Sequence, residues 1–279
     1  MEVHERMIKR LVYRVSDIRP YINWLYFYHT WSMNGKPKEE KEKLRVEAET
    51  MLDEFETRYK TYAVFGIFDA NSDEDDILIG DVRLPLLRQQ GAKDNCSPHL
   101  CLSDFLRPLS SCIKDKVGAF ATTVDTGMEF DYKHDDFRQM MAKVLAERLA
   151  EGTAEKMHED VRRTYWGYAP DEHFTPEELH REMYQGIRPA IGYPSLPDTS
   201  VNFILNELIG MSRIGIHLTE TGMMQPHASV SGLMFAHPRA KYFDLGKIGE
   251  DQLRDYALRR RIPVEMMRKF LASSLVCNR

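Results

Sequence analysis

The sequence has no apolar run approaching the roughly 20 residues that a membrane-spanning helix requires. Its first ten residues, Met1 to Arg10, carry charges of both signs and no apolar core, so the pattern of a signal peptide is missing as well. Cysteine is sparse, with Cys96, Cys101, Cys112 and Cys277 making four in 279 residues. A chain of this length does not need disulfide stapling, and the thiol usage suits a reducing, cytoplasmic compartment. Four and ten residues separate the first three cysteines, which fits no zinc pattern even with His99 between Cys96 and Cys101. Small buried or half-buried thiols and no metal are expected. Basic excess is also lacking: 38 Lys and Arg against 43 Asp and Glu leave a formal charge of −5. That argues against a nucleic-acid binder that works by neutralising phosphates.

Several catalytic signatures are absent. No G-x-G-x-x-G follows a strand, so a dinucleotide site of the Rossmann kind is not expected. Gly210 and Gly215 have the spacing of a phosphate loop, but Ile216 and His217 follow where Lys and Ser or Thr belong. His158-Glu159 continues as Asp160-Val161-Arg162 and makes no zinc-protease helix, and Ser229-Val230-Ser231-Gly232 lacks the leading glycine of a nucleophile elbow. What is present is a globule's composition, 43% hydrophobic and 29% charged. No repeat or low-complexity linker divides it, so one domain is expected.

Hydrophobic periodicity supplies the elements. The first sixty residues read as two helices, with Ser16 or Asp17 as a cap before Ile18, then Trp24, Phe27, Tyr28 and Trp31 at helical spacing. A charged helix from Pro37 to about Tyr59 buries Leu44, Ala48, Met51, Leu52 and Phe55 on one stripe. Strands are expected at Tyr62–Phe68, at Ile77–Val82 after a polar turn Asn71–Asp76 that holds the acidic run Asp73–Asp76, and at Val117–Val124. That turn lacks the glycine and distal glutamate of a calcium loop and reads as solvated. A long helix from about His134 to Thr164 carries Phe137, Met140, Met141, Val144, Leu145 and Leu149. Thr175-Pro176-Glu177-Glu178 starts another helix, followed by a helix at Val201–Leu208 and strands near Ile214–Thr219, Ala228–Phe235 and Tyr242–Ile248. Helices return at Glu250–Arg259 and Pro263–Leu271. Helix and strand do not alternate as βαβ units, so the class is α+β: a mostly antiparallel twisted sheet flanked by helices.

The most informative stretch is Tyr184 to Pro197, YQGIRPAIGYPSLP, where three prolines and two glycines fix some backbone angles and free others. Its amides and carbonyls are read as uncommitted to helix or sheet. Arg188 suits bidentate recognition of a carboxylate and Tyr193 suits covering an apolar or cationic ligand part. Equally, the stretch reads as a structural crossover with Arg188 in a salt bridge and Tyr193 in the core.

The string R-P-A-x-G-Y-P, formed by Arg188, Pro189, Ala190, Gly192, Tyr193 and Pro194, resembles the S-adenosylmethionine-binding loop of the activation domain of cobalamin-dependent methionine synthase. Further segments resemble that domain in order, among them Tyr21-Ile22-Asn23-Trp24, Cys101-Leu102-Ser103-Asp104-Phe105, Gly118-Ala119-Phe120-Ala121, Tyr165 to Pro170, Ala228 to Gly232 and Phe235-Ala236-His237-Pro238. The similarity runs from about residue 10 to the end, leaving residues 1–10 as an extension. The resemblance implies that Arg188 holds the methionine carboxylate of S-adenosylmethionine and that the Ala190 backbone contacts the ligand. It further implies that Gly192 and Tyr193 complete the loop, with Tyr242, Phe243 and Glu151 at the same site. Where the family often has aspartate, this chain has Asn23, which keeps an acceptor oxygen but loses its charge; a weaker grip on the ligand is expected.

The implied activity is reductive remethylation of cob(II)alamin: a flavodoxin-like donor supplies an electron and S-adenosylmethionine the methyl group. No cobalamin, folate or homocysteine module is present on the chain, so the corrinoid is expected on a separate methionine synthase chain. Met1 and the dissimilar first residues point to a free-standing protein. The resemblance assigns no acid or base, because the work is positioning. The alternatives are a non-catalytic S-adenosylmethionine sensor or docking module, favoured by Asn23, and a fold relic without ligand.

Overall fold

The computed structural model describes residues 7–91 and 98–276; Cys96 and Cys277 lie outside them. In chain order come β1 (Met7–Arg14), α1 (Val15–Ile18), α2 (Trp24–Thr30), α3 (Lys38–Arg58), β2 (Lys60–Asp73), β3 (Asp76–Ile79), β4 (Val82–Pro85) and β5 (Asp115–Val124). They are followed by α4 (Gly127–Phe130), α5 (Asp136–Asp160), α6 (Pro176–His180), α7 (Val201–Ile209), β6 (His217–Leu218), β7 (Met224–Gln225), β8 (Ser229–Met234), α8 (Glu250–Arg260) and α9 (Val264–Phe270). The main sheet runs β4-β3-β2-β5-β8, with β1 also paired to β2, and every pairing is antiparallel. β2 is long enough for β1 and β3 to share one of its edges end to end, while β5 occupies the other. The α+β, antiparallel expectation holds.

Helices cover both faces of this sheet, and the alternation along β5 shows how. Phe120 and Val124 pack with α3 and α5, whereas Val117, Ala119 and Ala121 pack with α7 and the Leu102–Leu106 segment. A strand covered on both faces reads as one apolar run, which is why VGAFATTV was legible. A smaller third cluster joins α8 and α9 to Leu87, Leu245 and Ile248. The stripe predicted for α3 is buried at all five positions. Along α5, Ala142, Ala146, Ala150 and Ala154 recur every fourth residue and are all buried. This lets the helix approach the sheet closely enough for Thr122 Oγ1 to donate to the Ala150 carbonyl at 3.0 Å.

Tertiary context overrides the local pattern at several points. The described residues open with β1 rather than a helix, because pairing with β2 outweighs the charges in MIKRLVYR. Neither Ser16 nor Asp17 is the cap expected; Asp17 lies in the third position of α1 and accepts from the Arg14 amide at 3.0 Å. Phe137 and Met140 are 47% and 43% exposed, so the buried stripe of α5 starts only at Met141. The Ile77–Val82 run is broken by a turn at Gly80 into β3 and β4, and Tyr242–Ile248 is irregular rather than a strand. Only His217 and Leu218 of the Ile214–Thr219 segment form a strand. The acidic turn is solvated only in part: Glu74 is exposed, but Asp75 pairs with Arg88 at 2.7 Å, and buried Asp76 pairs with Arg83 at 2.6 Å and with Arg259. Cys101 is buried, Cys112 is exposed, and the His99 ring engages the Gln89 carbonyl at 2.8 Å.

Candidate functional site

A cleft of about 540 Å³ opens where α2, the middle of α5, the Arg188 loop and the Tyr242–Asp244 segment converge. Seven of the eight residues singled out from the sequence line it: Asn23, Glu151, Arg188, Ala190, Tyr193, Tyr242 and Phe243. Gly192 does not. Its amide donates to the Leu196 carbonyl at 2.8 Å and closes the turn that carries Tyr193 to the rim.

The loop is held by the sheet, contrary to the expectation that its backbone is uncommitted. Ile187 exchanges both backbone bonds with Phe235 at 3.0 and 2.9 Å, the Ile191 amide donates to Ser231, and the Leu233 amide donates to Pro189. Residues 187–191 thus form an irregular edge along β8. Two glycines permit that approach. A Cβ on Gly232 would lie 2.2 Å from the Pro189 carbonyl oxygen, and one on Gly186 (φ +84°) 2.2 Å from that of Phe235. Ala190 faces Gly232 in the non-hydrogen-bonded register, so its N–H points away from β8 and has no protein acceptor among the described residues.

Arg188 is fixed at three points. Its amide donates to Tyr242 Oη at 2.9 Å, its guanidinium donates to Glu155, and its charge lies 5.7 Å from the Phe120 ring centre. Burial pushes its pKa down while the Glu151 charge opposes this, but an arginine remains protonated at neutral pH. It is in a salt bridge, as the crossover reading expects, and it also lines the cleft. Tyr193 is not in the core; it is 54% exposed. Asn23 caps α2, its Oδ1 accepting from the amides of Leu25 and Tyr26 at 3.1 and 3.4 Å. Its acceptor oxygen is therefore already engaged.

Sequence reading missed Glu155, Glu182, Asp244, Tyr26 and Tyr184, which also line the cleft. Glu155 was findable, since it lies four residues after Glu151 on the same helical face. Tyr26 lies on α2, three residues after Asn23, while Glu182, Tyr184 and Asp244 come from irregular segments, whose side-chain directions no periodicity reports. Together Glu151, Glu155, Glu182 and Asp244 set four carboxylates against Arg188, the only arginine in the lining among the described residues. Burial raises the pKa of Glu151 and Glu182; for Glu151, Arg148 at 2.8 Å and Arg188 pull the other way.

Behind the cleft, a buried polar chain braces the loop. Tyr242 Oη lies 3.4 Å from Tyr184 Oη, and the Tyr184 ring lies 4.1 Å from the Arg162 guanidinium and edge-on to His158. Arg162 is fully buried, pairs with Glu172 at 2.7 Å and donates to His158 Nδ1 at 2.8 Å. Burial, together with the Arg162 charge, holds the His158 pKa well below 6.5, so the ring is neutral. The unfolded chain takes up a proton there below about pH 6.5 and the folded chain does not. Stability should therefore fall as pH drops below that value, by up to ~1.4 kcal/mol per unit from this group. Melting curves from pH 8 to 5.5 should show a shallower decline for His158→Gln; parallel declines would remove His158 from this role.

The protein is thus α+β, with a cleft that sets one arginine against four carboxylates. The sequence matches the family model for the vitamin B12 dependent methionine synthase activation domain over residues 14–261, and the chain belongs to that family. Among solved structures it is similar to the MetH reactivation domain bound to AdoHcy. The two share 38% sequence identity over 99% of this chain and 92% of the other, with a TM-score of 0.91.

Proposed function

We propose that this protein binds S-adenosylmethionine in the cleft and supports reductive remethylation of cobalamin held on a separate methionine synthase chain. The carrying observation is the conjunction of Arg188, its side chain only 12% exposed, and four carboxylates in one cleft of ligand size. S-adenosylmethionine combines a carboxylate with an ammonium and a sulfonium, and each finds opposite charge here. In the proposed mode Arg188 takes the carboxylate, the free Ala190 N–H donates to the ligand, and Tyr193, Tyr242 and Phe243 wall the site, with Gly192 shaping the loop. That a 38% identical relative was solved with AdoHcy, which differs by the transferred methyl, supports the assignment.

When bound, the ligand supplies an already activated methyl group, so the chain's residues need only bind and orient it. No general base is required, and the carboxylates act as fixed countercharges. Tyr26 and Tyr193, 58% and 54% exposed, place apolar surface in the cleft lining, suited to a corrinoid-carrying partner. A flavodoxin-like reductant and a cytoplasmic setting belong to the same proposal. A purified corrinoid partner, a reductant and methyl-labelled S-adenosylmethionine should yield labelled corrinoid only when this protein is added. No label transfer would overturn the reactivation reading.

Asn23 favours a second reading, a sensor or docking module that binds ligand without supporting transfer, since its oxygen already caps α2. Aspartate caps equally well and brings a second, charged oxygen. Asn23→Asp should bind S-adenosylmethionine tighter by about 1 kcal/mol, roughly fivefold. Titration calorimetry on the two proteins measures this, and an aspartate variant binding no tighter would detach Asn23 from the site.

A further inference from the structure

Arg188 and Glu155 form a buried ion pair in the cleft wall, with side chains only 12% and 14% exposed. The pair is incomplete. Glu155 engages Nη2 alone, while Arg188 Nε and the second Glu155 oxygen are buried without partners among the described residues. Arg148, the neighbouring cation, is committed to Glu151, which leaves Arg188 as the counter-ion of Glu155. A ligand carboxylate that displaced Glu155 would strand a buried anion, so adding to the pair is favoured over exchanging with it. The two residues also differ in backing. Glu155 comes from the interior of the 25-residue helix α5, and Arg188 from a loop.

Resting on the ligand proposed above, we infer that Glu155 is a positioning residue: it fixes the Arg188 guanidinium from the helix side so that the remaining nitrogens meet the ligand's α-carboxylate. Preorganisation of this kind spares the ligand the cost of ordering a long side chain. Glu155 thereby contributes specificity for the amino-acid tail and none for the nucleoside.

The test compares AdoHcy with methylthioadenosine, which shares the nucleoside thioether but lacks the amino-acid tail, on wild type and Glu155→Gln. The glutamine variant should bind AdoHcy about tenfold more weakly, with methylthioadenosine unchanged. Glu155→Asp, which keeps the charge on a shorter arm, should show a smaller loss with the same selectivity. Tighter AdoHcy binding by Glu155→Gln would mean that Glu155 competes with the ligand, and would overturn the inference. Equal losses for both ligands, or none, would overturn it too. A wild type that binds neither ligand would overturn the proposed function itself, and this inference with it.

Discussion

Replacing Arg188 by methionine should remove most of the affinity for S-adenosylmethionine, on the order of 100-fold. A buried, charge-assisted carboxylate contact is worth about 2–5 kcal/mol on truncation. The same change should lower folding stability by about 3 kcal/mol, because it leaves Glu155 as a buried anion without its partner. The two effects are separable. In the double variant Arg188→Met/Glu155→Gln the stranded charge is gone, so stability should largely return while binding stays lost. Chemical denaturation and titration calorimetry on wild type and the two variants read both quantities. Recovery of binding in the double variant would show that Arg188 acts through the fold and not on the ligand.

Gly232→Ala should be nearly as damaging, though Gly232 is absent from the cleft lining. The added Cβ would meet the Pro189 carbonyl at 2.2 Å, the Phe120 ring at 2.9 Å and Ala190 Cα at 3.0 Å. Two of these are backbone contacts, which cannot swing aside, so the loop must lift from β8. Losing the bonds from Leu233 to Pro189 and from Ile191 to Ser231 would free the segment that aims Arg188. Overpacking of this kind costs about 1–3 kcal/mol, and ligand affinity should fall at least tenfold with the loss of preorganisation. Gly91→Ala is the control, since among the described residues nothing lies within 4 Å of its added Cβ. Equal behaviour of the two variants would dissociate the loop's position from Gly232.

These residues also show which features a sequence exposes. Helix α3 was legible because a single apolar stripe meets a single partner face, and β5 because both its faces are covered. Strand β1 was not, because β pairing is decided by the neighbour: β2 provides an edge for residues 7–14 that no local pattern announces. The loop was found by its proline and glycine punctuation, yet its attachment to β8 stayed hidden. That attachment depends on Gly232, some forty residues further along, having no side chain. Likewise Asn23 was found by its motif, while its capping of α2 depends on where that helix begins. Arg188 was read as either ligand anchor or salt-bridge partner, and the fold makes the ion pair part of the cleft wall.

The most direct test of S-adenosylmethionine binding in the cleft is a calorimetric titration of the wild-type protein with that ligand, with Arg188→Met run beside it. The expected result is saturable binding at one site per chain that the arginine variant largely loses. Absence of binding at millimolar ligand, or binding of equal strength in Arg188→Met, would contradict it.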